Sequence, residues 1–312
     1  MTQNASSPKG PSSFGVSETE ARTPLDRVLR QKLEGASWNQ VRRMIETGKI
    51  KVDGSTVLDP TLLLRAGQLV EIVWNARRPD DRRLPSSTIV HVDSQVVVVE
   101  KPAGISTVPF ESNERGTLDD LVARLLSARE GARRGPLGIV HRLDKDTSGL
   151  LVFARTLSAK RELKNQFRFH SVKRRYWALV QGAIESRTLS SRLVQDRGDG
   201  LRGSTENPTL GRSATTHVRV LERLRGATLA ECRLETGRTH QIRIHLAEAG
   251  HPLLGERVYN RGFAGEVLQA PRVMLHAFEL GFDHPTTRRP LLFNSEMPSD
   301  MQRVLAELRT LR

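Results

Sequence analysis

Apolar residues recur at helical spacing early in the chain and at strand spacing through most of the remainder. Leu25, Val28, Leu29 and Leu33 mark one face of an amphipathic helix, which Thr23 is expected to cap and Pro24 to open, because the first helical position needs no N–H partner. Ser37 and Gln40 have the spacing of a capping box ahead of a second helix, with Val41, Met44 and Ile45 as its apolar face and Gly48 as its stop. Ile50 and Val52 then alternate with Lys49 and Lys51 before an Asp53-Gly54 hairpin turn, and Val57 and residues 69–73 supply further strand pattern. Residues 76–87, dense in charge with two prolines and no apolar period, predict a linker.

The longer region beyond it is read mainly as strands. The valine run 96–99 predicts a buried strand within residues 89–100, and the Pro102-Ala103-Gly104 stretch after it reads as a turn. Thr117 caps a predicted helix through Leu118, Leu121, Val122 and Leu125. Residues 137–140 and 150–154 are apolar runs, 158–169 helical, and 173–180 a strand. Residues 185–212, polar and rich in glycine, predict a mobile hairpin or insertion. Residues 218–224 and 228–234 predict paired strands around Arg225-Gly226. Thr239 is the expected N-cap of a helix with Ile242 and Leu246 on one face and Gly250 at its end. Residues 273–282 predict a strand pair, and a last helix from Ser299 carries Met301, Val304, Leu305 and Leu308.

This pattern gives a domain map of a disordered tail at 1–22, a small domain at 23–75, the linker at 76–87 and a large domain at 88–312. Charge adds a partner to it. The chain has 49 Lys plus Arg against 35 Asp plus Glu, a net +14, which points to a polyanion such as nucleic acid. The small domain holds eight basic and six acidic residues and the large one 35 and 25, so most of the excess lies in the large domain. Cys232, the single cysteine, excludes a disulfide framework or a cysteine metal site and is expected in the core. No run approaches membrane-spanning length and residues 1–22 lack the apolar stretch of a secretory signal, so a cytoplasmic protein is expected.

Candidate chemistry concentrates between the runs at 137–140 and 150–154. His141, Arg142, Asp144, Lys145, Asp146, Thr147 and Ser148 place seven hydrogen-bonding side chains in eight positions, held at both ends by strands. A salt-bridged turn is the plain alternative. Asp144-Lys145-Asp146 matches an acidic metal-holding motif only weakly, and Ser148 lacks a nucleophile-elbow context. His240 and His245, five apart, make a poor metal pair on a helix. A carboxylate beside fixed cations remains.

Two resemblances refine this. The two-helix, glycine and short-hairpin arrangement from Thr23 to Trp74 resembles the αL RNA-binding domain of a small-subunit ribosomal protein and of some RNA-modifying enzymes. That resemblance implies phosphate contacts for Arg42, Arg43, Lys49 and Lys51. It also leaves Trp38, where the family usually has a basic residue, either to stack on a base or to pack. The blocks KPAG, VHRLDKDTSGLLVFA, RRYWALVQG, GRSATT, TGRTHQIRIHLAEAGHPLLG and LHAFELGFDHP, in that order from Lys101 to Pro285, resemble the RluA family of RNA pseudouridine synthases. The implied fold is α+β, a mixed and mainly antiparallel sheet preceded by the small RNA-binding domain.

The implied activity is isomerisation of uridine to pseudouridine in RNA after base flipping, with large-subunit ribosomal RNA preferred and tRNA second. Neither a metal nor an organic cofactor is implied, and a monomer is expected. The implied catalytic residues are Asp144, its ion-pair partner Arg243 and the base-stacking Tyr176. Arg142, His141 and Leu275 are the implied substrate contacts, and Asp146 the expected brace of the loop. A non-catalytic RNA-binding or ribosome-assembly factor is the alternative of another class.

Overall fold

The computed structural model describes residues 10–74, 76, 84–110, 114–131, 135–260 and 263–310. The chain divides into two compact units, Met1–Asp81 and Arg82–Arg312.

In the first unit, strands β1 (Ser13–Gly15), β2 (Ile50–Val52), β3 (Ser55–Thr56) and β4 (Leu69–Ile72) form a small antiparallel sheet in the order β1-β4-β2-β3. Helices α1 (Leu25–Lys32) and α2 (Trp38–Glu46) share its core, where Leu25, Val28, Leu29, Val41, Ile45, Ile50 and Val70 are fully buried. The capping box is present: the Gln40 amide donates to the Ser37 hydroxyl and the Ser37 amide to the Gln40 side chain. Asp53 and Gly54 turn the hairpin with φ of 50° and 76°, the left-handed pair that a tight hairpin needs. Two expectations are corrected. Residues 10–22 are not a disordered tail, because β1 pairs with β4 and Val16 enters the core; residues 1–9 lie outside the described residues. Thr23 is not the cap of α1; Pro24 takes that position, with no side-chain cap. Most of the expected linker also lies outside the described residues, while Leu84 packs into the second unit's core and Ser86–Thr88 make a 3-10 turn.

The second unit is built on one mixed sheet. Its strands are β5 (Ile89–Val92), β6 (Val96–Lys101), β7 (Gly138–Ile139), β8 (Ser148–Ala154), β9 (Lys173–Gln181), β10 (Arg187–Val194), β11 (Gly203–Thr205), β12 (Arg212–Leu224), β13 (Ala227–Leu234), β14 (Leu275–Asp283) and β15 (Pro290–Asn294). The main order is β11-β10-β12-β13-β9-β14-β8-β6-β5, with β15 beside β14 and β7 beside β8. The β14–β8 pair is parallel and the other pairs are antiparallel.

The valine run and the 150–154 run are uninterrupted because both faces of β6 and β8 are covered. Val97, Val99, Leu151 and Phe153 face a core shared with α3 (Leu118–Glu130) and α5 (Gln241–Glu248). Val96, Val98, Leu150 and Val152 face α4 (Leu157–Arg168). Helix α6 (Ser299–Thr310) covers a third cluster through the four residues expected of it. Cys232 is fully buried, and burial pushes its thiol up to about 12.

Residues 185–212 form the expected hairpin, but as part of the sheet: β10 and β11 extend it, and Ser191 and Ser204 bind His245 and Glu248 of α5. The expected strand pair at 273–282 is one strand, β14, with a bulge between Ala277 and Glu279.

Candidate active site

Asp144 sits in the connection that leads into β8, and the main chain on both sides of it is tied down. Thr107 Oγ1 donates to the Leu143 carbonyl at 2.7 Å and accepts from the Leu143 amide at 3.2 Å. The Lys145 carbonyl accepts from the Gly104 amide and from Lys101 Nζ, both at 2.8 Å. Lys101 is fully buried, and its ammonium also donates to the carbonyls of Pro102 and Ile105. Burial pulls its pKa down to about 7, yet three carbonyl acceptors match the three protons of the charged form. The segment after Lys101 makes the expected turn, with Gly104 at φ 83°, and also clamps the loop.

The far end of the loop is held by Arg272. Its guanidinium donates to the carbonyls of Asp146, Val273 and Leu275, to Ser148 Oγ, and to both oxygens of Asp300 on α6. The loop is therefore braced through the main-chain carbonyls of Lys145 and Asp146, where the Asp146 side chain had been expected to act. Gly149 then follows at φ 114°, and a Cβ there would lie 2.2 Å from the Ala277 carbonyl oxygen. Only glycine lets β8 approach β14 so closely.

The three expected catalytic residues converge on one face of the sheet. Arg243 NH1 stands 3.8 Å from Asp144 Oδ2. Tyr176 lies on β9, 6 % exposed, opposite Ala277 of β14 and Cys232 of β13. Burial raises its phenol pKa, Arg174 opposes that, and the nearby charge of Asp144 adds to it, so Tyr176 keeps its proton. Leu275 is buried in the same core as Tyr176. Arg142 is exposed and donates to Thr239 Oγ1 at 3.3 Å, which joins the aspartate loop to the segment ahead of α5. Thr239 is not the helix cap, because the cap position falls one residue later, at His240.

Arg243 is held by a residue that sequence pattern did not single out. Its Nε and NH2 each donate to a carboxylate oxygen of Glu256 at 2.7 Å, in a two-pronged pair whose acid is fully buried. Glu256 Oε1 also accepts from the amides of Arg257, Val258 and Tyr259, which aims the carboxylate from behind. Burial disfavours the charge on Glu256, but the Arg243 hydrogen bonds and charge outweigh it and hold its pKa low. Asp144 thus faces an arginine whose position Glu256 sets. Glu256 stands 13 residues beyond Arg243, after Gly255, where a Cβ would meet the Arg272 carbonyl oxygen at 1.8 Å.

His240 is a second group absent from the expected site. It precedes α5 with φ 57°, a left-handed conformation that costs a non-glycine residue on the order of 1 kcal/mol or more. Its ring does not cap the helix. Nδ1 meets the Tyr259 hydroxyl at 2.8 Å and Nε2 lies 3.9 Å from Asp144 Oδ1.

His141, an expected substrate contact, is engaged within the fold. Along one edge of β8, β14 pairs with Ser148 and Gly149 and β7 with Phe153 and Ala154; His141 Nε2 accepts the Val152 amide left between them, at 3.1 Å. The ring stacks on Phe167 at 4.5 Å, and burial drives its pKa down to about 3. His276, bonded to Ser148 and Ser295, is lowered to about 4, also chiefly by burial. Both imidazoles are neutral in the fold, whereas the unfolded chain takes up their protons below about pH 6.5. Stability should therefore fall as pH drops from 6.5 toward 4 and 3, by about 2 kcal/mol per histidine at pH 5. Urea midpoints at pH 8 and pH 5 measure this loss, and His141→Gln should reduce it.

In the first unit, Arg43 is exposed and Lys49 and Lys51 partly so. Arg42 is already paired with Asp26 at 3.0 Å and lies 5.9 Å from the Trp38 ring. Trp38 is 46 % exposed, so part of its ring is open to solvent. Among the described residues no group of three or more His, Cys, Asp or Glu is placed to hold a metal ion, and no helix is long and apolar enough to cross a membrane.

The fold is that of pseudouridylate synthases. Human RNA pseudouridylate synthase domain containing 4 superposes with a TM-score of 0.59 at 23 % identity, over 71 % of this chain and 92 % of that one. The model of the family described as RNA pseudouridylate synthase matches residues 95–248, and that of the S4 domain matches residues 23–70. A ribosomal large subunit pseudouridine synthase D from Nitrosomonas europaea is 36 % identical over 304 residues, covering 95 % of this chain and 87 % of that protein. One of the same name from Pseudomonas aeruginosa is 37 % identical, covering 91 % and 92 %. This chain belongs to the RNA pseudouridylate synthase family, and it is an RNA-modifying isomerase with an appended RNA-binding domain.

Proposed function

We propose that the chain isomerises uridines in large-subunit ribosomal RNA, acting as a cytoplasmic monomer, with Asp144 at the reacting centre. The observation that carries this reading is the meeting of Asp144 and Arg243 at 3.8 Å, on a loop whose main chain is fixed on both sides. The relatives' names favour large-subunit RNA over tRNA.

The isomerisation breaks the bond from N1 of uracil to the ribose, turns the bound base, and joins the same ribose carbon to C5. C5 loses a proton and N1 gains one, so nothing is oxidised or reduced. Asp144 serves as nucleophile or as base at that centre. Arg243, fixed by Glu256, faces the carboxylate and aims it. Tyr176, buried and protonated, offers its ring as the platform for the extruded base. Arg142, exposed at the edge of the site, takes a phosphate or the space the base vacates. Leu275 forms apolar wall. Arg42, Arg43, Lys49 and Lys51 of the first unit contact RNA phosphates, which adds affinity without sequence information.

The test is to incubate the purified chain with large-subunit ribosomal RNA transcript and with tRNA and to map pseudouridine in each. Modification confined to discrete uridines of the ribosomal transcript is expected, and modification of tRNA alone would overturn the substrate choice. Removing residues 1–87 should weaken RNA binding or blur site choice more than it slows the chemistry.

A further inference from the structure

Asp144 has two oxygens, and they face different groups. Oδ2 looks toward Arg243 at 3.8 Å and Oδ1 toward His240 Nε2 at 3.9 Å. We propose that His240 is a positioning residue for the isomerisation, holding the second oxygen of Asp144 through its Nε2–H while Tyr259 fixes the tautomer of the ring. The proposal rests on the assignment of Asp144 to the reacting centre.

Three features of the geometry support it. First, His240 adopts a left-handed backbone at the position before α5, where a β-region residue with a capping side chain is usual. The side chain leaves the helix amides uncapped and turns to the site. Second, the Tyr259 hydroxyl lies 2.8 Å from Nδ1, and its ring stands edge-on to the imidazole at 72°. Burial raises the Tyr259 pKa, so the phenol keeps a proton to donate. Because a carboxylate only accepts, the Nε2 that faces Asp144 carries the ring proton and Nδ1 accepts from the hydroxyl. A neutral imidazole that accepts at Nδ1 carries its proton on Nε2, the nitrogen that faces Asp144. Third, the same Tyr259 ring packs 5.2 Å from the guanidinium carbon of Arg243, and its amide is bound by Glu256. One tyrosine therefore registers both groups that flank the carboxylate.

The charged and titratable groups around His240 are Asp144, Arg243, Glu256, Tyr259 and Arg202. Burial is the strongest influence and lowers its pKa; Asp144 and Glu256 raise it, and Arg243 and Arg202 lower it. His240 thus works as a neutral donor near pH 7, so the contact needs no protonation event.

The contact and the role are tested separately in the full-length protein. The imidazole of His240 is titrated by NMR in the wild-type chain and in Asp144→Asn. Loss of the carboxylate should shift that titration to lower pH, and an unchanged titration overturns the contact. Single-turnover rates are then measured for His240→Ala, His240→Gln and Tyr259→Phe. His240→Ala should lose roughly 10- to 100-fold in rate with RNA affinity little changed. His240→Gln keeps an N–H at a similar reach and should recover most of the rate, added imidazole should partly rescue His240→Ala, and Tyr259→Phe should fall between.

Wild-type rates in His240→Ala overturn the role. So does a His240→Gln protein as slow as His240→Ala that imidazole does not rescue, since that marks a structural histidine only. Should the wild-type chain convert no uridine, the functional reading fails, and the titration arm then upholds or overturns the contact by itself.

Discussion

Asp144→Asn is expected to abolish pseudouridine formation, a loss of roughly 10³-fold or more, while RNA affinity stays within a few fold. The substitution preserves shape, and the loop's position does not depend on the side chain. Leu143 is held by Thr107, Lys145 by Lys101 and the Gly104 amide, and Asp146 by Arg272. What is lost is the charge between Arg243 and His240. Binding is dominated by phosphate contacts spread over a chain of net +14, so one neutral amide alters it little. A non-catalytic RNA-binding factor would show no modification in either protein, and full activity in Asp144→Asn would remove the aspartate from the mechanism.

Glu256→Ala carries the second large effect, and it acts on both stability and rate. Glu256 is fully buried and satisfies two Arg243 nitrogens and three backbone amides. Deleting one partner of a buried ion pair leaves an uncompensated charge, at a cost of about 3–5 kcal/mol. For a domain of this size that is a fall in Tm on the order of 10 °C. Where the protein still folds, a freed Arg243 no longer aims Asp144, and a misplacement of about 1 Å costs roughly 10²-fold in kcat. Glu256→Gln keeps the shape and the acceptor for the amides, so it should lose less stability while still slowing the reaction. Calorimetry and single-turnover assays measure the two effects, and a Glu256→Ala protein with unchanged Tm and rate would contradict the pairing.

The fold was legible where burial is simple. The valine run of β6 and the apolar run of β8 announced strands covered on both faces, and the capping box of α2 and the Asp53-Gly54 hairpin announced local turns. Strand β1 was not legible, because Ser13, Phe14 and Gly15 have no apolar alternation and pair only at the edge of a sheet. The hairpin at 187–205 was legible as a hairpin but not as part of the sheet, because its polar, glycine-rich composition suits strands at the sheet's margin, where exposed polar residues are tolerated.

In the site, Asp144, Tyr176 and Arg243 were legible through a family resemblance. Their supports were less so: Glu256, Lys101 and Arg272 act through geometry that periodicity does not encode. A glutamate directly after a leucine-glycine pair looks like any surface acid until the chain folds it behind Arg243. His141 shows the converse, since its place in the aspartate loop suggested substrate and the structure gives it an orphaned strand amide instead.

The most direct measurement is a transcriptome-wide pseudouridine map of cells lacking this gene, complemented with the wild-type chain or with Asp144→Asn. Discrete pseudouridines in large-subunit ribosomal RNA should vanish on deletion, return with the wild type and stay absent with Asp144→Asn. Maps that are identical across all three would contradict the account.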